Sequence, residues 1–375
     1  MKVKKIAVIG AGLMGAGISY VSRVSGYDVI MTDLDDDAIA RGMSRLNGYV
    51  ESGIKRGKLS PEEGERILSE LVTTTDLKEA VSDVDLVIEA IFENMDVKKK
   101  LFKEMDSYAN FHTIFASNTS SLSITELGKV TNRADKVIGM HYFSPVPAMK
   151  LLEVIVGKET NEDTIQTALE VGEKQRKITV KAIDSPGFIV NRLRAQIGRA
   201  IYQIYEQGLA SAEEIDTAMK EKFGVPIGSL ELADFVGLDV SLGTGSTLER
   251  ELGECYKVPE ILKKFVKEGR LGRKTGKGFY AYEDGQKRSL DEPKGADPAW
   301  LVTRIIMPYL REAIIEFETG IASKEDIDKA MKLGSNYKEG PFETIERLGI
   351  DTVREELKKL QEEFGDCYSL PKMLQ

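Results

Sequence analysis

The sequence predicts an α/β fold: a doubly wound, mainly parallel sheet over residues 1–184, followed by two homologous all-helical units at 185–290 and 296–375. Three observations carry this reading. Short apolar, β-branched runs alternate with helical periodicity through the first half. Strand-like runs become scarce after Asp184-Ser185-Pro186-Gly187. The segment 207–220 reappears at 319–332, and the offset of 112 continues without a gap through Gly228/Gly340, Gly237/Gly349, Asp239/Asp351, Cys255/Cys367 and Pro259/Pro371.

Composition bounds the rest. With 375 residues the chain exceeds one ordinary core. A net charge of −9 argues against a nucleic-acid or anionic-membrane surface, which needs clustered cations. No apolar stretch is long enough for a membrane span, and the chain runs at once into a core strand, so neither a span nor a signal peptide is expected. Two cysteines without a Cys-x-x-Cys pairing fit a reducing cytoplasm and no structural zinc. Each occupies the same place in its copy, so they read as one inherited core position seen twice rather than as a disulfide.

The elements follow in order. Strand 6–9 leads into Gly10-Ala11-Gly12-Leu13-Met14-Gly15 and an apolar-periodic helix (Ile18, Val21, Val24). The first glycine allows a tight turn, the second lets backbone approach a pyrophosphate, and the third lets helix pack on strand. Asp33 ends strand 29–33, where a carboxylate accepts hydrogen bonds from a ribose 2′-hydroxyl and repels a 2′-phosphate. A Rossmann-type domain binding NAD rather than NADP is expected, with Gly10, Gly12, Leu13, Met14, Gly15 and Asp33 at the cofactor. Asp35, Asp36 and Asp37 also suit a plain helix start. Residues 36–70 make a helical excursion with a turn near Gly57–Pro61, longer than a crossover requires. Strands 71–74, 86–90, 113–117, 137–141, 152–156 and 178–180 complete the sheet. From Phe188 the apolar residues Leu193, Ile197, Ile201 and Ile204 recur at helical spacing until Gly208. The glycine- and cation-rich stretch 269–280 reads as a structured loop closing the first helical unit against the sheet domain, and 284–297 as a linker.

Only two histidines occur. His112 precedes an apolar strand, where a solvated role suffices. His141 ends strand 137–141, on the edge where open α/β sheets bind ligands. Ser117 ends another strand, followed by Asn118, beside the expected cofactor. Glu153 lies within an apolar run and needs a partner if buried. Asn191 opens the long helix. One base, one orienting carboxylate and two neutral donors suit alcohol oxidation beside NAD.

Several segments then resemble the L-3-hydroxyacyl-CoA dehydrogenases: Gly10–Gly15, Glu89-Ala90-Ile91-Phe92-Glu93-Asn94, Ala116-Ser117-Asn118-Thr119-Ser120-Ser121-Leu122, Gly139-Met140-His141-Tyr142-Phe143-Ser144-Pro145-Val146-Pro147, Met149-Lys150-Leu151-Leu152-Glu153-Val154 and Pro186-Gly187-Phe188-Ile189-Val190-Asn191-Arg192. The resemblance covers essentially the whole chain. It implies that His141 is the acid/base and Glu153 its partner. It further implies that Ser117 and Asn191 hold substrate oxygens, and that Glu93 and Lys98 line the nicotinamide ribose. It implies too that the 36–70 hairpin covers the CoA nucleotide, where Arg56 and Lys58, with Lys55, Arg41 and Arg45, supply cations; an ordinary solvated helix face is the plainer alternative. Ser144 stands where many short-chain members carry asparagine, which bears on chain length. The chain shows no resemblance to the crotonase-like hydratase domain of larger fatty-acid oxidation enzymes. The implied reaction converts (S)-3-hydroxyacyl-CoA, with 3-hydroxybutyryl-CoA as the expected substrate, and NAD to 3-oxoacyl-CoA and NADH, with no metal. Relatives similar to λ-crystallin oxidise L-gulonate, a second reading, and an NAD-binding structural protein is a third. Related dehydrogenases dimerise through single helical units, so two units in one chain predict a monomeric pseudo-dimer, with a homodimer as the rival.

Overall fold

Apolar runs that end on a turn residue become the strands of the sheet. The computed structural model describes residues 2–284 and 286–375, and the chain divides between Ser185 and Pro186 into two units. The first contains β1 (Lys5–Ile9), α1 (Leu13–Val24), β2 (Asp28–Thr32), α2 (Asp36–Lys55), α3 (Pro61–Ser69), β3 (Val72–Thr74), α4 (Leu77–Val81), β4 (Leu86–Glu89), α5 (Met95–Tyr108), β5 (Ile114–Ser117), α6 (Ile124–Gly128), β6 (Val137–Tyr142), β7 (Leu151–Val156), α7 (Glu162–Lys174) and β8 (Ile178–Ile183). The sheet order is β3-β2-β1-β4-β5-β6-β7-β8. Neighbours are parallel except β6 and β7, which pair antiparallel with His141 opposite Glu153. The expected doubly wound α/β sheet is therefore present.

Every residue of β4, β5, β6 and β7 is buried, as parallel sheets covered on both faces require. The ionisable or hydroxyl side chains in them (Glu89, Ser117, His141, Tyr142, Glu153) must each find partners there. Asp35 caps α2 by accepting from the Ala38 amide, and Ser60 and Glu63 form a capping box before Pro61 on α3, so the acidic run does start a helix. The α2–α3 hairpin is anchored because Leu46, Val50 and Ile67 enter the same core as Val8 and Met31. Truncating Leu46 to alanine would cost about 2–5 kcal/mol and loosen that anchor.

The second unit is helical: α8 (Val190–Glu206), α9 (Ala212–Ala218), α10 (Ser229–Val236), α11 (Leu238–Leu252), α12 (Glu260–Lys267), α13 (Pro298–Glu318), α14 (Lys324–Gly334), α15 (Pro341–Leu348) and α16 (Ile350–Phe364). At the offset of 112, α10 and α11 fall on α15 and α16 residue for residue. The cause is visible in the chemistry. Asp216 accepts from the Leu230 and Glu231 amides at the start of α10, and Asp328 accepts from Phe342 and Glu343 at the start of α15. A Cβ on Gly228 or Gly340 would collide with those carboxylates.

Two expectations change. The helical copies pack within one compact unit, joined by a buried Arg192–Glu312 pair at 2.5 Å and by Arg199 donating to the Tyr368 hydroxyl at 2.8 Å. The segment read as a linker from 284 begins inside a small hairpin, β9 (Ala281–Glu283) and β10 (Gln286–Arg288); Gly285 lies outside the described residues. Cys255 and Cys367 form a disulfide, with Cα atoms 5.1 Å apart. The reason is symmetry. A position carried by both copies meets itself where it lies on the two-fold axis of an isologous pair. The 269–280 loop is structural within this unit: buried Asp234 accepts from the Phe279 and Tyr280 amides and from the Tyr282 hydroxyl, each at 3.0 Å. Among the described residues no helix is long and apolar enough to cross a membrane.

Candidate active site

The carboxyl ends of β1 to β6 share one edge, and the site of the first unit is assembled there. Gly10 has φ +103°, and a side chain on it would run into the Ala90 carbonyl; one on Gly15 would overlap the Gly10 carbonyl. Gly12 faces open space within 4 Å. It opens α1, whose first turn carries no acid to cancel its positive end. Asp33 accepts the Ala11 amide on Oδ2 and the Leu34 amide on Oδ1, both at 2.7 Å. A carboxylate has further lone pairs for ribose hydroxyls. Exposed Leu13, Leu34 and Phe92 follow β1, β2 and β4 on the same edge. An open cradle at a helix start, a ribose-type acid and an apolar rim fit an NAD-sized dinucleotide.

Behind this edge runs a buried polar chain. Glu89 accepts from Lys98 Nζ (2.5 Å), from the Ile91 amide (2.8 Å) and from Ser117 Oγ (2.6 Å). Lys98 also approaches Glu93 (3.4 Å), which accepts from Thr119 Oγ1 (2.5 Å) and the Ser120 amide (2.9 Å). Burial works to raise the Glu93 carboxyl, but Lys98 and these hydrogen bonds outweigh it and hold it below the ordinary carboxylate range.

Two of the expected site residues belong to this buried chain. Ser117 is fully buried, donating to Glu89 and accepting from the Thr119 amide, and so joins β4 to β5. Lys98 is 1% exposed, with its ammonium on Glu89. Glu93 is more than a third exposed. Asn118 accepts from the Tyr142 amide (2.9 Å), fixing β5 to the strand of His141.

His141 and Glu153 meet as their register requires: Nδ1 lies 2.6 Å from Oε2, with both side chains buried. An ionised carboxylate only accepts, so facing one Nδ1 is the donor of this pair. The Phe143 ring lies 4.5 Å from the imidazole. The hairpin between the two strands is gripped from the α7–β8 turn. Tyr142 donates to Gln175 (2.6 Å), Gln175 donates to Ser22 of α1 (2.8 Å), and Lys177 donates to the Val146 and Met149 carbonyls (2.5 and 2.7 Å). Burial pushes Lys177 down to about 8.

Asn191 is the second residue of α8, in the other unit, on the wall of a cavity of about 170 Å³. Arg56 and Lys58 are exposed at the tip of the α2–α3 hairpin, and no described carboxylate pairs with them. His112 is exposed, 3.7 Å from Asp85. Sequence reasoning missed Glu89, although a carboxylate closing the apolar run Leu86-Val87-Ile88 carried the same signal that singled out Glu153. Gln175 and Lys177 gave none.

Residues 5–185 match the family described as 3-hydroxyacyl-CoA dehydrogenase, NAD binding domain, and residues 187–282 and 300–375 each match its C-terminal domain. The chain belongs to the 3-hydroxyacyl-CoA dehydrogenase family. The double match to the C-terminal domain is the duplication seen in the helices. A probable 3-hydroxybutyryl-CoA dehydrogenase of Bacillus subtilis is 44% identical over 286 residues, covering 76% of this chain and 99% of that protein. The fatty acid oxidation complex subunit alpha of Shewanella sp. (strain ANA-3) is 36% identical over 98% of this chain and 54% of its own length. The chain thus spans about half the length of the fatty acid oxidation subunits it matches. The crystal structure of 3-hydroxybutyryl-CoA dehydrogenase from Escherichia coli K12 superposes with a TM-score of 0.92 at 28% identity, covering 100% of this chain and 98% of that one.

Proposed function

We propose that the chain catalyses the reversible NAD-dependent oxidation of (S)-3-hydroxyacyl-CoA, 3-hydroxybutyryl-CoA among them, to 3-oxoacyl-CoA. The observation that carries this is the His141–Glu153 pair, buried and in register at the ligand-binding edge of the dinucleotide unit. What the bound dinucleotide supplies is a hydride acceptor. Gly10, Gly12, Leu13, Met14, Gly15, Asp33 and Glu93 would hold it, with Asn118 bracing the strand ends beside it. His141 Nε2 takes the proton of the 3-hydroxyl as the hydride leaves C3, and returns it in the reverse reaction. Glu153 keeps the imidazole in one tautomer and stabilises the imidazolium that forms. Asn191 supplies an amide donor for a substrate oxygen. The cations Arg56 and Lys58 favour a CoA ester over a sugar acid such as L-gulonate. We further propose a monomer, each helical copy occupying the surface that a second subunit would otherwise cover; sedimentation at micromolar protein decides this.

His141→Ala tests the reading. Turnover of acetoacetyl-CoA with NADH is expected to fall by about 10²–10⁴, with NADH affinity within twofold of the parent. A variant with near-normal turnover defeats the assignment.

A further inference from the structure

The helix that opens the dinucleotide cradle and the strand that carries His141 are not neighbours in the sheet. α1 follows β1, and β4 and β5 stand between β1 and β6, a step of about 14 Å at the usual strand spacing. Two contacts bridge it directly. One is a close approach: a Cβ on Gly17 of α1 would lie 2.8 Å from the Cβ of Val146, in the hairpin between β6 and β7. The other is polar. Tyr142, the residue after His141, donates its hydroxyl proton to Gln175 Oε1 (2.6 Å), and Gln175 Nε2 donates to Ser22 Oγ of α1 (2.8 Å). All three side chains are buried, Ser22 completely.

Packing does not call for this polar chain. Ile18, Val21, Tyr142, Val146, Leu152 and Val154 share one apolar core. Apolar side chains of matching shape would be about as stable in place of the polar ones, because a buried hydrogen bond mostly replaces one made to water. What they would lack is direction. A fully paired buried network admits one arrangement of the elements it joins. The turn that delivers Gln175 also departs from the easiest backbone. α7 ends with the Arg176 and Lys177 amides bonded back to the Glu173 and Gly172 carbonyls, a closure in which glycine is usual at the left-handed position. Arg176 occupies that position at φ +60°. On either side of it, Gln175 reaches Tyr142 and Ser22, and Lys177 reaches the Val146 and Met149 carbonyls. The Tyr142 amide donates to Asn118 as well. The strand end of His141 is thus fixed to β5 by Asn118 and to the dinucleotide helix by Gln175.

We propose that Gln175 is a positioning residue for hydride transfer: through Tyr142 and Ser22 it sets the distance between a dinucleotide held at α1 and the imidazole of His141. The assignment rests on the dehydrogenase reading given above. Gln175 lies behind the cradle, bonded to protein groups alone, so its loss spares binding and slows the chemical step, where a misplacement of about 1 Å costs about 10²-fold.

Two measurements test this. In Gln175→Met, kcat with acetoacetyl-CoA and NADH is expected to fall by about tenfold or more while KM for NADH stays within about threefold. Tyr142→Phe, which loses a single oxygen atom, serves in its place if that variant does not fold. The second readout needs no turnover. The chain has two histidines, so the C2 proton signal of His141 in an NMR spectrum is identified by its survival in His112→Gln. Ser22→Ala removes only a hydroxyl on α1, yet it is expected to move the His141 signal and leave that of His112 in place. A kcat within twofold of the parent in the first variant overturns the proposal, as does an unmoved His141 signal in Ser22→Ala. A parent that does not turn over acetoacetyl-CoA, but whose His141 signal moves with Ser22→Ala, defeats the dehydrogenase reading and leaves the coupling of α1 to His141 supported.

Discussion

Replacing Lys177 by methionine probes how the hairpin carrying His141 and Glu153 is held. The lysine is 7% exposed and donates to the Val146 and Met149 carbonyls. Burial alone pushes it down to about 8. A lysine depressed in the fold carries its charge at a cost, about 3 kcal/mol at pH 7. That cost is fully present below pH 8. It is relieved as pH rises from about 8 towards 10.5, where the unfolded lysine still holds a proton that the folded one has released. Methionine removes the cost but leaves two buried carbonyls without a donor, about 1–3 kcal/mol each. Set against each other at pH 7, these terms leave the variant between about 1 kcal/mol more stable and about 3 kcal/mol less stable than the parent. At pH 10 the parent should have gained about 2.5 kcal/mol on the variant, because other groups titrate alike in both. Activity should separate from stability: a hairpin released from its clamp misplaces the imidazole, and kcat is expected to drop about tenfold. Urea unfolding at pH 7 and pH 10, with kcat on the same samples, measures both. A stability difference that does not grow with pH would refute the buried charged lysine, and an unaltered kcat would refute the dependence of His141 on the clamp.

Other perturbations have equally definite outcomes. Glu89→Ala strands the buried Lys98 ammonium and should cost about 3–5 kcal/mol in chemical denaturation; a loss under 1 kcal/mol contradicts the buried chain. Charge reversal at Arg56 and Lys58 should raise KM for acetoacetyl-CoA and leave KM for NADH alone, while equal effects on both would remove the hairpin from CoA recognition. The Cys255–Cys367 bond links residues 112 apart, and loop entropy puts its contribution at about 5 kcal/mol. Dithiothreitol or Cys255→Ser should lower the urea midpoint accordingly, and identical curves with and without reductant would show that the bond does not form in solution.

Much of this was legible in the chain because it is local or periodic. The dinucleotide turn depends on residues within one strand–helix step, and Asp33 ends the very next strand. Glu153 stood out because a charge inside an apolar run must be answered from a neighbouring strand, and β6 answers it. The duplication needed only self-comparison. What escaped depends on tertiary pairing. Nothing local shows that Ser117 bonds to Glu89 on the adjacent strand. The burial of Lys98, set by the same carboxylate, has no local signature either. The disulfide was misjudged because repetition was taken as a reason for two separate cores, whereas two-fold pairing brings equivalent positions together at the axis.

That bond has a consequence for proteolysis. Lys294 is exposed in the stretch joining the helical copies, which is held by the Ala212 amide donating to Asp291 and by the backbone amides of Lys294, Gly295 and Ala296 donating to Glu214. A trypsin nick there would part the polypeptide without parting the molecule: both fragments would migrate as one band until a reductant is added.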